Sequence, residues 1–365
     1  MDIPRAAQDG FVTILEQPAL RIVLLSFLTP RALLLLSRTS SKVREHVLAY
    51  MKNAFDINRT LRRFLPDPIE FRCLQARTGT LVSGQVALQF FDRSNYFLPC
   101  LDIYVHPMYR REIGEWLLRQ GFTFFPGPGQ HQSFSSAVLR RQRPAHCKQY
   151  PGVLNIFTFY RQIRGVPVQV HIVVALRTPI EVILGFHATC MMNVISYNKA
   201  YCLFPYATLE EHISFHCAAP SQPAPSQPAW VSAVPPTFTL VDMPRYDPLP
   251  TSRRHRLYPH APRWLGDSHT WTVPLDMRQI LPPIQPNPYC PLRTQDPVGL
   301  SGFSLQYNTI NRSILVQFSV ITSAALHLPF AVGDKDMANH LAHVLQEKAT
   351  REEYEVTFCG LEDWT

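Results

Sequence analysis

The segment 81-LVSGQVALQFFDRSNYFLPCLDIYVHP-107 constrains the fold more than any other stretch of the chain. It runs from a strand ending in Ser83-Gly84, through a short helix over 85–92, into a second strand, 101–105, with one carboxylate, Asp102, just inside it. Two strands joined through a helix commit this region to an α/β or α+β sheet.

The flanking pattern extends that sheet. We read a strand at 79–83, helix 108–120, a hairpin of 153–162 and 166–175 turning at Arg164-Gly165, helix 179–196 and a strand at 199–204. These define a mixed-sheet α/β domain over 71–217. Before it, a helical block over 11–60 holds an apolar helix with Leu20, Val23, Leu24, Phe27 and Leu28 at spacings of three and four. Thr29-Pro30 then supplies a cap and a first-position proline, and Val43, Val47, Met51 and Phe55 mark a further helix. So short a block buries too little to stand alone and is expected to lean on the next domain or on a partner. After the domain comes a Pro-rich linker, 218–235, in which Ala-Pro-Ser-Gln-Pro is duplicated. The remainder, 236–365, reads as a β-rich extension. Its strands are predicted at 236–242, 269–275, 302–307, 313–321 and 354–359, with a turn at Asn308 to Asn311 and a helix at 335–349. The turn-rich stretch 245–300, which holds Arg253-Arg254-His255-Arg256, is expected to pack over other structure. The predicted fold class is α+β.

Composition narrows the function classes. With 365 residues, 46% hydrophobic and 17% charged, the chain can bury a substantial core. The net charge is +8, but 35 Lys and Arg are scattered against 27 acids with no run of five basic residues, which argues for a solvated surface over a nucleic-acid track. The start, MDIPRAAQDG, lacks the pattern of a secretory signal. The greasy stretch 20–37 is cut by Arg21, Ser26, Thr29, Pro30 and Arg31, and spanning a membrane would bury an arginine at about 2.5 kcal/mol or more. Eight cysteines without a CxxC pair fit free thiols in a reducing cytosol or nucleus. His187 with Cys190, and His212 with His216 and Cys217, read either as zinc ligands or as packing.

Residues 14-ILEQPALRIVLLSFLTPRALLLLSRTSSKVREHV-47 resemble an F-box: an apolar helix, a Leu-Thr-Pro corner, a Leu-rich second helix, and Ser-Arg-Thr-Ser-Ser leading into a basic third. Gln17-Pro18 stands displaced from the family's opening Leu-Pro, and the third helix lacks its tryptophan. The resemblance implies docking on the Skp-type adaptor of a cullin–RING ubiquitin ligase through Leu24, Leu28, Leu33 and Leu36. The alternative use of these leucines is the chain's own core.

Residues 71–217 resemble the nucleotidyltransferase fold, and more closely a group of basidiomycete fungal proteins that join such a domain to an F-box-like start. The likeness is carried by 77-RTGTLVSGQVALQFFDR-93, 101-LDIYV-105, 112-EIGEWLLRQGFTF-124 and 186-FHATCMMNVISY-197. It implies a phosphate-binding turn at Ser83, Gly84 and Gln85 and a magnesium ligand at Asp102, the one candidate catalytic residue. Nucleotidyl transfer needs two or three carboxylates for magnesium. Here Gln85 stands where the family has serine, Cys100 replaces the other acid of the strand, and on 166–175 the polar residues are Gln169 and His171 where a third acid is expected. A thiol suits a hard cation poorly. Asp92 and Glu181 lie near helix ends, and Arg110 and Arg111 read as surface residues or phosphate contacts. His187, Thr189, Asn193 and Tyr197 run down the predicted 179–196 helix as pocket lining or as satisfied core groups.

The leading expectation is therefore a non-catalytic cytosolic or nuclear interaction protein. Its helical start would meet a Skp-type adaptor, and its degenerate nucleotidyltransferase-like domain would recognise an unknown protein target. No cofactor is expected. The alternative is an active nucleotidyltransferase, using magnesium and a nucleoside triphosphate, that acts on a small molecule or an RNA end.

Overall fold

Capping chemistry sets the helix boundaries near the start of the chain. After α1 (Arg5–Glu16) and α2 (Pro18–Ser26), Thr29 accepts a hydrogen bond from the Ala32 amide at 3.3 Å and Pro30 opens α3 (Pro30–Leu36). Ser40 caps α4 (Ser41–Ala54), Asp56 caps α5 (Ile57–Leu61), and Asp67 with Pro68 opens α6 (Pro68–Thr78). The computed structural model describes residues 5–94, 100–140, 143–144, 147–148, 150–163, 165–217, 234–241, 262–281, 297–308, 313–323, 326 and 328–359. Most of the linker 218–235 and the basic cluster 253–256 fall outside the described residues, as do Arg164 and 309–312 of two predicted turns.

The fold is α+β, with helices first, a mixed sheet in the middle and further strands after it. Strands β1 (Leu81–Val82), β2 (Cys100–Val105), β3 (Thr123–Phe125), β4 (Val153–Ile163), β5 (Val166–Ala175), β6 (Asn193–Ile195), β7 (Lys199–Cys202) and β11 (Trp271–Pro274) form one sheet in the order β11-β7-β6-β1-β2-β5-β4-β3. Within it β2 and β5 run parallel, and the other described pairs are antiparallel. Alternate residues of β2 and β5 point to opposite faces. Leu101, Ile103 and Val105 join Val170, Ile172 and Val174 in one core with Phe55, Phe71 and Phe91, while Tyr104 and Val173 enter a second core with Ile183, Met191 and Phe215.

Helix 85–92 forms as expected (α7, Gln85–Asp92), and the β4–β5 hairpin runs through Ile163↔Val166. The predicted helix 179–196 does not form: α10 (Pro179–Leu184) stops at Gly185, a short 3-10 turn covers Thr189–Met191, and Asn193-Val194-Ile195 becomes β6 between β1 and β7. Its β-branched end, Val194-Ile195, suits a strand better than a helix. The predicted strand 313–321 is two strands. Ser313–Gln317 (β13) pairs with β12 (Gly302–Asn308), whereas Ser319–Ile321 (β14) pairs with β15 (Phe330–Val332). A Cβ on Gly333 would lie 2.3 Å from the Phe303 carbonyl carbon, so the chain after β15 closes on β12 only because that residue is glycine. The predicted strand 354–359 is instead part of a 25-residue helix, Lys335–Cys359, which the helix-forming run Glu347, Lys348, Ala349, Arg351, Glu352 and Glu353 carries past 349.

The later strands are tied to the sheet by β11 and by Arg263, whose guanidinium lies over the Phe204 ring. Arg263 begins β10 (Arg263–Trp264), its side chain 1% exposed; its guanidinium donates to Asp267 at 2.7 and 3.0 Å and to the Thr270 hydroxyl at 2.9 Å, between the rings of Phe204 and Phe303. Burial alone would raise the Asp267 pKa, but the Arg263 hydrogen bonds and charge outweigh it and hold the carboxyl below its ordinary value. A depressed folded value means stabilisation that is full above the unfolded carboxyl range, about pH 4, and lost as pH falls through the folded value. We expect Asp267→Ala to cost about 3 kcal/mol at neutral pH by leaving Arg263 buried without its anion. Urea denaturation checks this, and the variant's stability should fall less between pH 5 and pH 3 than that of the unaltered chain.

Candidate functional site

The sheet brings Cys100, Asp102 and His171 together at its centre. In the parallel register Asp102 lies opposite His171 and Cys100 opposite Gln169, so all four side chains share one face. Asp102 Oδ1 and His171 Nδ1 are 2.7 Å apart, and both residues are buried, at 5% and 3% exposure. The Cys100 sulfur joins them: one ligand-type atom from each residue lies within 4.8 Å of the other two. Burial, then the neighbouring Asp102, pushes the Cys100 thiol up to about 12. The same face holds Tyr104, whose phenol is raised well above its ordinary value by burial first, then by Asp102 and Cys100.

The turn before α7 closes on this cluster. Gly84 has φ 72° and ψ −144°, a backbone shape essentially restricted to glycine, and its missing Cβ would stand 3.5 Å from Asp102 Oδ2 and 3.8 Å from the Tyr104 hydroxyl. Ser83 is buried and turned the other way, its hydroxyl donating to the Asn193 carbonyl at 2.5 Å. Gln85 opens α7. Gly84 therefore borders the predicted acid, while the Ser83 side chain belongs to the β1–β6 join.

The other candidates are engaged by local partners. Asp92 accepts from the Ser94 amide at 2.7 Å and its hydroxyl at 2.5 Å; burial raises its pKa against these bonds. Glu181 pairs with Arg177. Arg110 donates to the Val138 and Pro107 carbonyls, and exposed Arg111 to Glu115. Thr189 accepts from the Phe215 amide, Asn193 donates to the Cys190 carbonyl, and the Tyr197 carbonyl accepts from Arg72. The Cys217 amide donates to the His187 carbonyl at 2.7 Å, but His187, Cys190, His212, His216 and Cys217 form no cluster of three ligand atoms; Cys100, Asp102 and His171 are the one group of metal-ligand type among the described residues. Clefts of about 480, 570 and 920 Å³ lie elsewhere, and none of the three is lined by Cys100, Asp102 or His171.

The helical block is a second candidate surface. Leu15, Leu25, Leu33, Val43, Val47 and Tyr50 form its own core, with Leu28 and Leu36 packed against them. Leu33, expected to meet an adaptor, is 0% exposed because α3 turns it toward α4. Leu24 is exposed, in company with Leu20, Val23, Phe27, Leu34 and Leu35, and Phe27 reaches 82%. Arg93 and Glu210, which local sequence patterns do not reveal, fix the block to the sheet domain. Arg93 donates to the Leu25 and Leu28 carbonyls and the Tyr50 hydroxyl; Glu210 accepts from the Thr29 hydroxyl at 2.8 Å and the Arg31 amide at 3.0 Å.

Compared with known proteins, the chain matches no family model, no curated protein and no solved structure. Among the described residues no helix is long and apolar enough to cross a membrane. The geometry at the turn yields a direct expectation. Gly84→Ala forces an L-residue into a glycine backbone shape and should cost about 1–3 kcal/mol, read as a lower urea midpoint at unchanged m-value.

Proposed function

We propose that this chain is a non-catalytic interaction protein: an F-box-like helical block that binds a Skp-type adaptor, joined to a nucleotidyltransferase-like domain that recognises a protein target without transferring nucleotides. The observation that carries the reading is the exposed apolar face of α2 and α3, built from Leu20, Val23, Leu24, Phe27, Leu34 and Leu35 on helices whose opposite side is already packed. Large apolar side chains left exposed at spacings of three and four, as at Leu20, Val23, Leu24 and Phe27, favour a partner.

Three features support the likeness of the second domain. Strand β1 lies antiparallel to β2, β2 lies parallel to β5, and Gly84 borders the acid of β2. The loss of chemistry is supported by Asp102. Its Oδ1 is engaged by His171, the residue opposite it in register is an imidazole, and the partner position two residues earlier is a thiol. Magnesium prefers several oxygen ligands in octahedral array, and one buried carboxylate does not supply them. Each lost ligand leaves triphosphate charge less neutralised in the transition state, and every 1.4 kcal/mol or so lost is a tenfold fall in rate.

Co-expression of the full chain with a Skp-type adaptor should yield a complex. Phe27→Asp, at an exposed position, should abolish capture while leaving the thermal midpoint within about 1–2 °C, whereas Leu33→Ala should cost about 2–5 kcal/mol of stability as a core truncation. Absence of association at micromolar concentrations defeats the adaptor reading. Magnesium-dependent nucleotide transfer by the unaltered chain, lost in Asp102→Asn, would replace it with the enzyme reading.

A further inference from the structure

The geometry points to Cys100, Asp102 and His171 as a binding site for a divalent transition metal of the zinc class. This inference stands on β2 and β5 alone and does not depend on whether the helical face docks a partner.

Three observations meet here. First, the donor set is one sulfur, one imidazole nitrogen and one carboxylate oxygen, the mixture that borderline cations such as Zn²⁺ favour and that Mg²⁺ and Ca²⁺ do not. Second, the set is compact. Tetrahedral zinc with bonds of 2.0–2.3 Å holds its ligand atoms roughly 3.3–3.6 Å apart, and the three atoms here lie within 4.8 Å of one another. Asp102 and His171, at 2.7 Å, need only open slightly as the cation replaces the proton between them. Third, the scaffold is rigid. Asp102 and His171 are opposite each other on central paired strands, and Cys100 is two residues along the same strand and face. Residues on strands hold such constellations better than residues on loops.

A three-ligand zinc site takes its fourth ligand from solvent, and on the Asp102 side the cluster is bordered by Gly84, which carries no side chain there. On binding, the Cys100 thiol gives up its proton to solvent. The proton between His171 Nδ1 and Asp102 moves to the other ring nitrogen or to solvent, depending on tautomer, and the cation takes the freed lone pairs.

The same three residue types also make thiol nucleophiles, but the spacing argues against that use. A relay sets the thiol and the carboxylate at opposite ring nitrogens, about 7 Å apart across the imidazole. In this cluster the sulfur lies within 4.8 Å of a carboxylate oxygen of Asp102. The three ligand-type atoms cluster rather than forming a line.

The test uses the full-length chain without a polyhistidine tag. Zn²⁺ titrated into metal-free protein should bind one-to-one, and excess Mg²⁺ should not displace it. Co²⁺, used as the spectroscopic probe, should give a thiolate-to-cobalt charge-transfer band in the near ultraviolet together with the intense visible bands of tetrahedral coordination. Cys100→Ser should remove the near-ultraviolet band and weaken Zn²⁺ binding by at least about tenfold; His171→Gln should weaken it comparably. Cys73→Ser, outside the cluster, should change neither. A Co²⁺ complex of the unaltered chain without the thiolate band overturns the proposal, and that readout holds even if a variant fails to fold. Zn²⁺ affinity unchanged in folded Cys100→Ser overturns it equally.

Discussion

The parallel pairing of β2 with β5 is the constraint on which the rest of the structure depends. Parallel neighbours cannot be joined by a tight turn, so everything between Val105 and Val166 serves as their connection, and α8 (Arg110–Arg119), β3 and β4 are built within it. Both strands lie inside the sheet and must be apolar on two faces, which accounts for the near-continuous valines and isoleucines of 166–175. Against that background Asp102 and His171 are exceptions, and each is tolerated because the other satisfies it. One residue of register slip would send these side chains to the opposite core, so pairing and polar contact enforce one another.

The helical block is held by complementary charges at helix ends. Arg93 places a cation on carbonyls at the end of α2, and Glu210 places a carboxylate on the first turn of α3, each matching the partial charge found there. Two such contacts on successive helices fix rotation as well as position. The apolar residues of α2 and α3 that remain exposed are those this clamp turns outward, among them Phe27. Arg93 itself sits at φ 59°, an uncommon conformation for a side-chain-bearing residue, at the point where α7 ends and its guanidinium turns to the block.

Much of this was legible in sequence where the signal is local. Thr29-Pro30 and Asp67-Pro68 mark helix starts, helix 85–92 forms within its predicted bounds, and the hairpin through Ile163 and Val166 follows its alternation. Asp102 stood out as the lone acid of its strand; that His171 would lie opposite it depended on a parallel register no short window contains. The helix expected over 179–196 fails beyond Leu184: its apolar spacing suits a helix, but β1 and β7 capture Asn193-Val194-Ile195 as a strand. Leu33 and Leu24 carry the same local pattern yet end on opposite sides of the block, since burial there is decided by α4 and by the anchor at Arg93.

Strand β11 covers the edge that β7 would otherwise expose. It comes from beyond the proline-rich segment, pairs with β7 from Trp271↔Cys202 to Pro274↔Lys199, and sets the Trp271 ring 5.1 Å from Phe55 and 5.5 Å from Phe91. Without it, β7 would present a row of open amides and carbonyls to other chains, a template for edge-to-edge aggregation. Ending in Pro274 and seated on aromatic rings from α7 and the end of the helical block, β11 both fills that row and makes a poor template in turn. The segments that flank the sheet domain on either side in sequence thus meet at one edge, where the later one takes up the main-chain groups of β7.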